Sequence, residues 1–238
     1  MSTSQGTRRP IKTRDHRFAQ RITVWLSQRQ ISPNQISLAS IGFAAFAALM
    51  LVFWRHAEGG ADWLLPLMAI VGIQGRLLCN LFDGMVAMEG GKSTPSGELY
   101  NDMPDRLADT LLLVAVGYVA ASWQPAGIWM GWLAAMLAVA TAYVRVLGAS
   151  MGAPMRFLGP MAKQHRMALL TAACLISVLE SFWWPKGVAM FVVTLVFIIG
   201  CTWTIARRTR AIHCYLVDQS HVISSDPERA TEQDADHV

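Results

Sequence analysis

The chain has 238 residues, of which 53% are hydrophobic and only 15% charged, with a formal net charge of +4. That balance excludes an ordinary soluble domain, which scatters far more Lys and Glu over its surface, and it fits helices that each place about 20 apolar residues in a bilayer. The positive charge does not mark a nucleic-acid binder, because the basic residues flank apolar runs, where membrane topology accounts for them. Cys79, Cys174, Cys201 and Cys214 form no CxxC pair, and the six histidines show no metal-ligand spacing. A disulfide frame and a zinc site are therefore not expected. Arg8, Arg9 and Lys12 lead into mixed polar sequence, unlike a cleavable signal peptide.

In chain order, residues 1–14 are polar and basic and are expected to be disordered. Residues 15–29 predict an amphipathic helix lying on the membrane, with Phe18, Ile22, Trp25 and Leu26 on one face and Arg17 and Arg21 off it. Ser32-Pro33-Asn34 opens the first span. Ser32 can cap the helix, and Pro33 suits its first position, where an N–H would be unbonded anyway. Apolar residues run on to Phe53, and further apolar stretches cover about 62–82, 104–124, 127–147, 164–184 and 186–206. The expected fold is an all-α integral membrane domain over 15–210, with six transmembrane helices behind a juxtamembrane amphipathic helix. Residues 211–238 are expected to be a disordered polar tail.

Six spans put both termini on one side. Nearly all Lys and Arg lie on that side, and only Arg55 and Lys186 lie opposite. The positive-inside rule makes that side cytoplasmic, in a multi-pass protein of the cell membrane. No internal repeat of the transporter kind is visible, which weighs against a transporter.

The junction of the second and third spans carries the chemistry. Asn80 and Asp83 are three residues apart and share a helix face. Asn101, Asp105 and Asp109 follow in steps of four, and Glu98, Asp102, Asp105 and Asp109 make an overlapping row. Carboxylates at the end of an apolar span are costly to desolvate and need partners. Two such helix ends facing each other would converge several oxygens on one point, as hard cations such as Mg²⁺ require. Gly84 and Gly97 allow close backbone approach to a ligand.

This segment resembles the CDP-alcohol phosphotransferases, whose signature reads D-x2-D-G-x2-A-R-x8-G-x3-D-x3-D. In register the chain supplies Asn80, Asp83, Gly84, Ala87, Met88, Gly97, Asn101 and Asp105, with every spacing kept. The resemblance extends over roughly 15–206, although the specific signature occupies only 80–105. It implies Mg²⁺ or Mn²⁺ held around Asn80, Asp83, Asn101 and Asp105, with Asp105 also the candidate general base. It implies a CDP-linked donor, CDP-diacylglycerol or another CDP-alcohol, and an alcohol acceptor. Attack on the phosphorus nearer the non-nucleotide group would expel CMP and leave a phosphodiester. Gly84, Ala87 and Gly97 would lie against the substrate, among membrane lipids, and the family resemblance admits a homodimer.

Three positions depart from the signature: Asn80 and Asn101 replace aspartates, and Met88 replaces the arginine. Asn keeps an oxygen and loses the charge, so the site is expected either to bind one metal where the family holds two or to recruit neighbouring carboxylates. Asp102, beside Asn101, is expected to restore charge, and Asp109 is a further accessory candidate. A basic segment, Arg156 with Lys163 and Arg166, lies on the same side. In that family such residues line an acceptor or phosphate pocket, and anionic lipid or topology is the plainer account. Arg145 points toward the same region. The leading reading is a phosphotransferase of phospholipid biosynthesis. The alternative is an impaired relative that binds lipid or nucleotide without turnover, followed by a transporter.

Overall fold

A computed structural model describes residues 17–60, 62–89, 97–154 and 158–225. Seven helices, and no strand, occur among the described residues: α1 (Arg17–Gln28), α2 (Pro33–His56), α3 (Leu64–Glu89), α4 (Gly97–Ala120), α5 (Gly127–Ser150), α6 (Lys163–Trp183) and α7 (Val188–Ser225). Five of them, α2, α3, α5, α6 and α7, are long and apolar enough to cross a membrane. The chain is therefore a multi-pass membrane protein. The sixth expected span corresponds to α4, which is as long as α2 and α5 but carries Asp102, Asp105, Arg106 and Asp109 in its N-terminal half. Those charges, not its length, set it apart.

The opening of α2 forms as the sequence predicts. Ser32 Oγ accepts from the Gln35 N–H at 3.2 Å, Gln35 Oε1 accepts from the Ser32 N–H at 2.9 Å, and Pro33 takes the first turn. Together these satisfy two of the donors that a helix start leaves bare. α1 runs against α3, where Thr23 Oγ1 approaches Met85 Sδ at 3.7 Å. The side chains of Arg17, Phe18 and Glu98 lie outside the described residues, as do 1–16 and 226–238.

α4 is the central helix of the bundle and packs against α2, α5 and α7. Its Leu112, Val116 and Val119 meet Ala44, Ala47 and Leu51 of α2 in one continuous core. Against α5 the backbones nearly touch: a Cβ on Gly117 would stand 2.3 Å from Gly131 Cα. Small residues at such a crossing let dispersion contacts replace the hydrophobic drive that lipid does not supply. Because α4 is enclosed, its acidic half is enclosed too and must find partners inside the protein.

Two boundaries differ from expectation. α4 starts at Gly97, not near Pro104, so Pro104 lies inside the helix and only the Tyr100 carbonyl loses its usual donor. α7 continues to Ser225, so residues 211–225 are helical, where a disordered tail is expected from 211. Nothing in Ala211–Ser220 breaks a helix, and a span that is already helical propagates into polar sequence without a new nucleus.

Candidate functional site

The cytoplasm-assigned end of the bundle gathers charged side chains from four helices. On α2, Ser37 Oγ donates to Asp83 Oδ2 of α3 at 2.6 Å. Asp83 is 3% exposed, so this hydroxyl does for one carboxylate oxygen what water would otherwise do. On α4, Asp105 receives Lys163 Nζ at 2.5 Å from each of its two oxygens. Lys163 is the first residue of α6, which brings a flexible ammonium to the mouth of the site. Asp83 lies within electrostatic reach of both Asp105 and Lys163.

One turn deeper, Asp109 is clamped between two arginines. Arg76 Nη2 of α3 donates to Oδ1 at 2.7 Å, and Arg166 Nη2 of α6 donates to Oδ2 at 2.5 Å. All three residues are at most 1% exposed. Arg76 Nη2 also lies 3.3 Å from the Asp105 carbonyl and 3.5 Å from Asp105 Oδ1, so one guanidinium ties both acidic positions of α4 together. Arg166 Nη1 donates to the Met161 carbonyl at 2.8 Å, which fixes the loop before α6. Arg166 thus has both Nη groups engaged by protein atoms.

Asp102 turns toward α5. Arg145 Nη2 reaches its two oxygens at 3.0 and 3.2 Å, and Arg106 joins at 3.2 Å from one turn along α4. The carboxylate expected to restore charge at the asparagines is therefore engaged by two guanidinium groups. Asn101 is exposed, although it is one turn from buried Asp105. Asn80 is half-buried, and its Nδ2 is enclosed without a hydrogen-bond partner. Gly84, Ala87 and Gly97 are half-buried, Met88 is exposed, and Arg156 lies outside the described residues.

Two hollows border these groups. A small open hollow, with about 40 Å³ of enclosed volume, is lined by Arg145, Leu158, Arg208, Ile212 and Tyr215. Arg208 donates to the carbonyls of Leu158, at 2.9 Å, and Thr141. An apolar groove of about 400 Å³ runs between α1, α2 and α3, with Leu26, Ile36, Phe43, Leu78 and Phe82 among its walls.

No group of three or more His, Cys, Asp or Glu able to hold a metal occurs among the described residues. Of the four in-register positions, Asp83 and Asp105 keep their carboxylates. The enclosed Asn80 amide is the informative atom set. An amide half-turn exchanges its nitrogen and oxygen, and turned that way Asn80 offers an oxygen on the face it shares with Asp83. Mg²⁺ and Mn²⁺ sites are commonly built from one or two carboxylates completed by phosphate and water. The donors present fit one such ion at Asp83 and Asn80. They do not fit a pair.

Sequence reasoning passed over Arg76 and Ser37. Arg76 carries a readable signal, since a lone arginine within an apolar span needs a buried partner. Ser37 carries none, because a serine one turn into a helix more often bonds its own backbone, and the Pro33 carbonyl does lie 3.2 Å from its Oγ.

Three solved structures of one enzyme, the phosphatidylinositol phosphate synthase of Mycobacterium tuberculosis, share this architecture. With CDP-DAG bound, that structure aligns with a TM-score of 0.69 at 14% identity, covering 83% of this chain and 94% of the other. In complex with manganese and citrate the TM-score is 0.67 at 14% identity, with coverage of 82% and 88%. In the apo form it is 0.64 at 14% identity, with coverage of 81% and 94%. No family model matches the chain, and no curated protein matches it by sequence. At this identity the likeness establishes a shared fold.

Proposed function

We propose that the chain is a membrane-embedded phosphotransferase of phospholipid synthesis. It moves a substituted phosphate, phosphatidyl from CDP-diacylglycerol, onto an alcohol and releases CMP. The observation that carries this reading is the Lys163 ammonium on both oxygens of Asp105 at the end of the bundle where Asp83 is also buried, within electrostatic reach. Their sequence positions are those the transferase signature assigns to chemistry. The shared fold with an enzyme whose structure holds CDP-DAG supports it.

The hollows suit the two substrates. The apolar groove along α2 and α3 ends near Asn80 and Asp83, so an acyl chain there leaves a diphosphate at the polar end. The cavity with Arg145 and Arg208 suits an acceptor that carries its own negative charge. Gly84, Ala87 and Gly97 leave room for the donor. Lys163 lies beside Asp105, where the phosphates would come, Arg156 is assigned to them by its sequence position alone, and Arg166 holds Asp109 and the loop in place. In the reaction, the acceptor oxygen bonds to the phosphorus that carries the diacylglycerol. The bond from that phosphorus to the oxygen bridging to CMP breaks. The hydroxyl proton passes to Asp105, which Lys163 holds in orientation. A single Mg²⁺ or Mn²⁺ at Asp83 and Asn80 would supply positive charge to the diphosphate when bound.

In this reading α4 is a sixth crossing, both termini are cytoplasmic, and the protein resides in the cell membrane. CMP release from CDP-diacylglycerol in detergent, with candidate alcohols supplied one at a time, tests it. A second reading, a relative that binds donor without turnover, draws support from the exposed Asn101 and from the ammonium closed over Asp105. Donor binding with no CMP released for any alcohol would select that reading.

A further inference from the structure

Six buried charges at the acidic end are linked to one another. Asp83, Asp105 and Asp109 are three negative charges, and Arg76, Lys163 and Arg166 are three positive ones. They connect through Asp105, which meets Lys163 and Arg76, and through Asp109, which meets Arg76 and Arg166. These six charges cancel among themselves, and buried Arg208, within electrostatic reach of Arg166 and Arg145, adds a positive charge beside them. The neighbouring trio of Asp102, Arg106 and Arg145 adds one further positive charge.

We infer that the Lys163 ammonium is a built-in substitute for the second divalent ion of the site, so that the chain binds one such ion and not two. The inference rests on the phosphotransferase reading for the identity of the ligand, and on this chain's own residues for the count. A diphosphate diester brings two negative charges. One divalent ion at Asp83 and Asn80 already matches them. Two ions would leave an excess of at least two positive charges in a low-dielectric pocket that Arg145, Arg106 and Arg208 already make positive, where like charges repel strongly.

The geometry agrees with the charge count. Lys163 Nζ stands 2.5 Å from both oxygens of Asp105, which is the carboxylate a second ion would need. Asn101, the other position that could serve that ion, is a neutral amide and is exposed. Asp102, the nearest spare carboxylate, is engaged by Arg145 and Arg106. An ammonium on a four-carbon stem can also follow the phosphate during transfer, which a coordinated ion does less readily.

The test is a Mn²⁺ titration of the purified full-length protein in detergent, read by the loss of the free-ion electron paramagnetic resonance signal, without substrate. The expected stoichiometry is one Mn²⁺ per chain, abolished by Asp83→Asn. Lys163→Met exposes Asp105 and should raise the count to two, while Lys163→Arg keeps a cation there and should leave it at one. Melting curves for each variant verify that the bundle is intact, and the arginine variant carries the comparison if the methionine variant unfolds. Two ions or none in the unaltered chain would overturn the inference, as would an unchanged count in a folded Lys163→Met. CMP release is measured on the same samples. A count of one with no CMP for any alcohol would remove the transferase reading and leave the ion count standing.

Discussion

The two ends of the bundle both bury charge, and they do it in opposite ways. At the end assigned to the outside, Lys186 Nζ donates to the carbonyls of Trp54 at 3.0 Å and Ala57 at 2.8 Å, and meets Asp62 at 3.0 Å. Arg55 donates to the Tyr118 carbonyl, and Glu180 accepts the N–H groups of Gly187 and Ala189. These charges satisfy bare helix ends, where the first donors and last acceptors have no intrahelical partner. At the opposite end the charges mostly meet other side chains, in the chain of contacts from Lys163 through Asp105 and Arg76 to Asp109 and Arg166. Backbone-directed charges fasten helices. Side-chain charges that neutralise one another are displaceable by a charged ligand, and this is the ground for proposing the second end as the site.

That contrast predicts a graded set of effects. Asp105→Asn should lower the turnover of CMP release by about 10²–10⁴-fold, the usual worth of a positioned base, with melting little changed because Arg76 keeps Asp109, the amide keeps an acceptor oxygen for Lys163, and the Lys163 side chain is partly exposed. A stopped assay with saturating donor reads this directly. Asp109→Ala should instead remove stability, by about 3–5 kcal/mol, because two guanidinium groups are left buried without their common carboxylate. Detergent melting curves would show it, and a fully stable variant would mean that Asp109 is not the clamp. Glu180→Gln, at the far end, should weaken the α6–α7 junction while leaving KM and kcat of the surviving folded protein unchanged.

Ser37→Ala removes a hydrogen bond to a carboxylate, worth about 1.5–3 kcal/mol where the acceptor is charged. It should show as weaker Mn²⁺ binding with the expected stoichiometry retained. Asp102→Asn is the smallest effect. Its carboxylate is 37% exposed and shared by two arginines, so the change should cost about 1 kcal/mol or less and leave Mn²⁺ affinity nearly unaltered. A loss of Mn²⁺ binding as large as that of Asp83→Asn would return Asp102 to the ion site.

Much of this was legible in the sequence because lipid simplifies the code. Apolar runs bounded by Arg and Lys locate α2, α3, α5, α6 and α7, and Ser32-Pro33 fixes where α2 begins. The three-residue step from Asn80 to Asp83 and the four-residue step from Asp105 to Asp109 fix shared faces. What periodicity cannot supply is the partner across the gap. Asp102 and Asp105 are three residues apart on α4, yet one meets α5 and the other α6, because the helix is enclosed on several sides. Lys163 and Arg166 read alike as basic residues of one loop, but one reaches the mouth of the site and the other lies 1% exposed beneath it. The apolar stretch from about 104 marks only the apolar part of α4, and the seven residues before Pro104, whose helical spacing is legible in the acidic row, extend the helix to Gly97.

The central claim is that Asp83 and Asp105 form a working transfer site at the charged end of the bundle. It is tested most directly by CMP release from CDP-diacylglycerol in detergent across a panel of alcohols, with the unaltered chain, Asp83→Asn and Asp105→Asn side by side. The account predicts release that needs a divalent ion and one particular acceptor and that both variants suppress. Release that survives both substitutions, or donor binding with no CMP for any alcohol, would contradict it.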